Sequence, residues 1–161
     1  MWRNICLLLL CFLCGILPAC SSDSSEIIKN VDKSTLSVSR RIPYRIASHY
    51  FIKNTVKNIV PVRISNRQDF EQYFGMAATM GISGQPTNID FTHEEVLIYD
   101  AGISNQQIDI FPASLEQSGQ ILHLNIGVKV GTNLDYQIHP FIMLIIPKNH
   151  ADKVLVHVQQ Q

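Results

Sequence analysis

The most regular pattern in the chain lies at residues 122–130. There Leu122, Leu124, Ile126, Val128 and Val130 alternate with His123, Asn125, Gly127 and Lys129. A period of two predicts a strand with one dry and one wet face. Residues 95–100 (EVLIYD) carry an unbroken apolar centre instead, which predicts a strand buried on both faces. Around these two, residues 44–55 are rich in β-formers, with Tyr44, Ile46, Tyr50 and Ile52 at period two, and residues 59–64 form a second short strand beside Pro61. Ile108 and Ile110 alternate with polar neighbours. Residues 134–146 read as one strand bent at Pro140, and Val154, Val156 and Val158 read as a last one. Turns are expected at residues 102–105, 118–119, 131–133 (Gly-Thr-Asn) and 147–152.

One stretch has a different period. Ser65 followed by Gln68 forms a capping box, and Phe70, Tyr73 and Phe74 fall at i, i+3 and i+4, with Gly75 as the stop. This predicts one helix whose aromatic stripe packs on a sheet. Residues 76–88 follow as a loop marked by Gly81, Gly84 and Pro86. The sum is an α+β domain over residues 40–161. It has about six or seven mainly antiparallel strands, as an open sheet or a partly closed sandwich, with the early helix packed on it.

Before this domain the pattern is that of a secretory leader. Arg3 supplies a positive start, residues 5–17 are an uncharged apolar run, and Pro18-Ala19 breaks the helix before a cut. A run of 13 residues is too short for a bilayer span, which needs about 20. Leu17-Pro18-Ala19-Cys20 resembles a lipobox, with cleavage between Ala19 and Cys20 and Cys20 as the lipid-bearing first residue of the mature chain. The expected organisation is a signal peptide at 1–19, an acylated, flexible polar tether at 20–39, and the domain. Ser21 to Glu26 is polar with two acids and reads as solvated linker, though acids just after the lipid cysteine also resemble a cell-surface export signal of some Gram-negative lineages. The expected location is a lipid anchor at a bacterial outer membrane, on its periplasmic or its surface-exposed face.

Composition narrows the chemistry. Lys plus Arg and Asp plus Glu are balanced at 13 each, and loss of Arg3 leaves one acid in excess. No basic stripe appears, so no nucleic-acid partner is expected. Cys6, Cys11 and Cys14 lie in the leader, and Cys20 is the fourth and last cysteine. A processed domain therefore has no disulfide, cysteine-held metal or cysteine nucleophile.

The remaining patterns fall short of catalytic ones. Gly81-Ile82-Ser83-Gly84 begins like a nucleophile elbow, but Gln85 stands where that motif needs glycine. His93-Glu94-Glu95 is half of a zinc-protease motif, with Leu97 in place of the second histidine. Asp90, Glu94 and Glu95 read as solvated residues at a strand entry. His123, His139 and His157 are the histidines that adjacent strands could bring together. No catalytic residue, metal or cofactor is expected. The natural contact surface is the 76–88 loop, in particular Met80, Ile82, Ser83 and Gln85.

Ile64-Ser65, Asp69-Phe70, Pro86 and Ile89-Asp90-Phe91 leading into Val96-Leu97-Ile98 carry a resemblance over about residues 59–158. Their order is similar to that of the small C-terminal domain of PrcB-type protease-complex subunits and of small lipoproteins of gut-type Gram-negative bacteria. The family's Gly-Gly-Tyr-like phrase after the buried strand is replaced here by Gly102-Ile103-Ser104-Asn105-Gln106. The resemblance implies a non-enzymatic β-rich domain that binds or stabilises a protein partner outside the membrane. The expected function is a non-catalytic, membrane-anchored lipoprotein that binds a protein or another envelope component. A protease-associated regulator or inhibitor and a hydrolase with an unrecognised site are the alternatives.

Overall fold

A computed structural model describes residues 38–57, 59–77 and 84–161. Cys20 with the leader and tether, and Met80, Ile82 and Ser83 of the contact loop, lie outside the described residues. Within them the chain forms β1 (Arg40–Arg41), β2 (Arg45–Ile46), β3 (Tyr50–Ile52), β4 (Arg63–Ile64), α1 (Arg67–Tyr73), β5 (Phe74–Met76), β6 (Glu94–Asp100), β7 (Ser104–Ser118), β8 (Ile121–Ile138), β9 (Phe141–Pro147) and β10 (Lys153–Gln160). The fold is mostly β with one short helix. Ten strands replace the expected six or seven, and they form three sheets: β1-β7-β8-β10, β2-β9-β6-β4, and the β3-β5 pair.

A single folded ribbon organises the two larger sheets. β6 pairs antiparallel with β9 from Glu94↔Pro147 to Asp100↔Phe141, and β7 pairs antiparallel with β8 from Ser104↔Ile138 to Ser118↔Ile121. Both arms of the ribbon leave one sheet and enter the next at the same corner, residues 101–103 and 139–140. Two contacts close that corner: the Ala101 amide donates to the Pro140 carbonyl at 3.0 Å, and Asp100 Oδ1 meets His139 Nε2 at 2.7 Å. Folding the ribbon over brings Leu122, Leu124, Ile126 and Val128 of β8 against Leu97, Ile142, Leu144 and Ile146 of β6 and β9. The alternation of β8 is thus met from Leu122 to Val128, whose apolar face fills this first core, whereas Val130, expected on the same dry face, is 45% exposed because β8 runs on past the core there.

The central sheet has a second buried face. Val96, Ile98, Met143 and Ile145 point away from the first core, into a second one with Ile52, Ile64, Phe70, Phe74 and Ile89. Hence Val96, Leu97 and Ile98 are all at most 1% exposed. α1 packs here through an aromatic group. Phe70 makes a T-shaped contact with Tyr50 (ring centroids 5.2 Å apart), stacks on Phe74 (5.0 Å) and tilts against Phe91 (5.3 Å).

Four local expectations are corrected. The helix is capped by Asn66, whose side chain accepts from the Asp69 amide at 2.8 Å, and not by Ser65. It ends at Tyr73, so Gly75 lies in β5, where an added Cβ would meet the Phe51 ring at 2.5 Å. The expected strand at 44–55 splits into β2 and β3, because His49 takes a left-handed φ of 63° and breaks the period. The expected turn at Gly131-Thr132-Asn133 is interior to the 18-residue β8, since β7 extends alongside to pair with it.

One pairing departs from the antiparallel rule. β10 runs parallel to β8 over eight uninterrupted positions, from Lys153↔Ile121 to Gln160↔Val128. The chain reaches β10 by crossing from the central sheet to the outer one, a crossover that permits parallel pairing.

Candidate functional site

The loop residue that the structure places, Gln85, lines a cleft of about 470 Å³ beside α1. Phe70, Phe74 and Ile89 form its apolar floor, and Tyr50, Lys53, Arg67, Glu71 and Phe91 stand around it. Its cations are engaged. Arg67 sits 5.7 Å from the centroid of the Phe91 ring, and Lys53 donates to the Glu71 carbonyl. Tyr50 donates to the Thr87 carbonyl at 2.7 Å; burial holds its hydroxyl pKa up, with Arg67 pulling the other way.

The acids at the entry of β6 divide into two kinds. Asp90, just before the 91–93 turn, and Glu94, the first residue of β6, lie at the surface, as expected of a strand entry. The hydrogen bond from His93, then those from Thr92, hold Asp90 down to about 2. Burial would raise Glu94, but its bonds from Arg45 and from the Asp90 amide outweigh that and lower it. Glu95 is corrected. It is 2% exposed and accepts two bonds from Arg63, at 2.8 Å from Nε and 2.6 Å from Nη2. Arg63 also donates to the Ala151 carbonyl at 2.7 Å, which ties β4 and β6 to the chain just before β10.

His150 lies beside this pair, with Nδ1 3.3 Å from Gln117 Oε1. Burial lowers its pKa first, then the charges of Arg40 and Arg63, against an opposing pull from Glu95. A histidine pKa lower in the folded than in the unfolded chain means that the unfolded chain binds more protons. Its contribution is then present above the unfolded value and is lost as pH falls. Chemical denaturation between pH 7 and pH 5 should show stability falling on acidification, with a shallower fall in His150→Gln.

Of the three histidines that adjacent strands could bring together, two meet. His123 and His157 touch across β8 and β10, whereas His139 is held by Asp100 at the corner. Among the described residues no group of three His, Cys, Asp or Glu side chains is placed to hold a metal ion, and no helix is long and apolar enough to cross a membrane.

A second surface, which periodicity did not reveal, lies along β10. This strand ends its sheet, and among the described residues no strand pairs with its outer side. The Gln161 amide donates to the Val128 carbonyl. By the period of two, odd-numbered residues of β10 therefore turn their amides to β8, and Val154, Val156, Val158 and Gln160 turn theirs outward. Beside this edge is a groove of about 470 Å³ lined by Ile59, Val62, Ile98, Tyr99, Val156 and Val158. Ile59 is 93% exposed and Val158 45%. The far edge of the same sheet is blunted. β7 contains Pro112 with a register shift beside it, and β1 covers Glu116 and Gln117. No family model, curated protein or solved structure matches this chain.

Proposed function

We propose that this protein is a non-catalytic lipoprotein, anchored in the outer membrane through acylated Cys20, whose β-rich domain binds a protein partner by adding the partner's strand to the edge of β10. The observation that carries this reading is the unblunted edge itself. Among the described residues, eight residues of β10 pair in register on one side only, with a single charge at the start, Lys153, and an apolar groove alongside. Backbone amides supply the affinity in such strand addition, and side chains in the groove supply the selectivity. The Ile59–Val62–Tyr99 strip suits a partner with alternating apolar residues.

The test is photo-crosslinking in intact cells with the full-length lipoprotein. A benzophenone side chain at Gln160 should capture a protein, whereas the same probe at Asp109 in β7 should not. Val158→Pro removes an outward amide without touching the β8 ladder, and should abolish the capture while the domain stays folded. Cys20→Ser should lose both incorporation of an alkyne fatty acid and membrane retention. Capture that survives Val158→Pro would refute the edge, and labelling that survives Cys20→Ser would refute the anchor. Recovery of a protease whose activity changes would narrow the reading to a protease regulator.

A further inference from the structure

On the wet face of the outer sheet, His123 Nδ1 and His157 Nε2 are 3.0 Å apart. Their ring centroids are 5.3 Å apart with planes within 13° of each other. A nitrogen lies about one ring radius from its centroid, so this separation leaves the two nitrogens facing each other between the rings. Neither side chain has drifted there on a loose loop. Parallel pairing sets Leu155 against His123 and His157 against Asn125, so the two histidines are diagonal neighbours in an unbroken ladder.

We propose that His123 and His157 form a two-imidazole binding site for a divalent transition metal of the copper type. Imidazole nitrogens bind such ions at about 2.0–2.1 Å, which places two neighbouring ligands about 2.9 Å apart at a right angle and about 3.4 Å apart in a tetrahedron. The observed 3.0 Å is the length of the hydrogen bond between the rings, and it holds the two nitrogens close to the right-angle spacing of tetragonal Cu²⁺ and Ni²⁺. Copper also stands highest among these ions for nitrogen ligands. Coordination needs the rings to pivot about Cβ–Cγ so that both lone pairs point at the ion. The N–H now shared between the rings leaves the contacted nitrogen and is restored from solvent at the remote nitrogen of the same ring. Water fills the remaining positions. The cross-strand partner of His123 is Glu116, whose Oε2 accepts from Ser39 at 2.8 Å; this carboxylate adds negative charge beside the ion.

The test uses the untagged full-length lipoprotein in detergent, titrated with Cu²⁺ and read by electron paramagnetic resonance. The wild type should show one site with coupling to two nitrogens. His123→Gln and His157→Gln should each lower the affinity by at least about tenfold, no less than the loss of an outer-shell partner costs elsewhere. His93→Gln on the far turn should leave it unchanged. Substoichiometric Cu²⁺ should also broaden the ring NMR signals of His123 and His157 before those of any other histidine, a readout that needs no variant. Equal binding by the double variant, or broadening that starts at another histidine, would overturn the site. Either result leaves the β10 edge reading intact.

Discussion

Glu95→Ala is expected to lower the stability of the domain by about 3 kcal/mol, the low end of what removing one partner of a buried ion pair costs. The low end applies because the Arg63 side chain keeps 21% of its exposure and its bond to the Ala151 carbonyl. The cost comes from what remains rather than from what is lost. Arg63 stays largely covered, with two donors that had faced Glu95 and no acceptor for them. Replacing both residues by leucine should cost less than Glu95→Ala alone, because it removes the stranded charge along with its partner. Urea unfolding followed by far-ultraviolet circular dichroism checks this through the midpoint at constant slope. Additive effects of the two single changes would show that the pair is not a unit.

How much of this was legible beforehand depended on whether a feature is local. The dry face of β8 from Leu122 to Val128 and the double burial at Val96–Ile98 follow from residue periods and appear in the cores; Val130 keeps the period but lies beyond the core and is exposed. The turn at Gly131-Thr132-Asn133 failed because turn residues set a local preference, and a pairing strand overrides it. The parallel β10 was not legible, since short polar connections look alike whether the chain turns back or crosses between sheets. Glu95 misled for a related reason. Two acids side by side in a strand point to opposite faces, so Glu94 meets Arg45 at the surface while Glu95 meets Arg63 inside. The contact of His123 with His157 was foreseeable as an option, because wet-face residues on neighbouring strands can meet. The β10 edge has no local signature, because an edge is defined by the strand that is not beside it.

Phe70→Ala should cost about 3–5 kcal/mol, and its effect should be global. Phe70 is 5% exposed and leans on three aromatic rings, so truncation opens a cavity and breaks three aromatic pairs at once. A seven-residue helix is too short to persist by its own hydrogen bonds and depends on this anchor. The change spreads because the second core rests on β6 and β9, whose opposite faces fill the first core. Loosening one face of those strands therefore weakens their grip on the other. The expected result is a lower urea midpoint with unchanged slope, and faster amide exchange in α1, β6 and β9 together. Exchange that rises in α1 and β5 alone, with the midpoint unmoved, would mean that the helical layer melts independently of the two packed sheets. Capture at the β10 edge, the readout of the proposed strand addition, should then survive Phe70→Ala; with cooperative cores, loss of capture should track loss of folded protein.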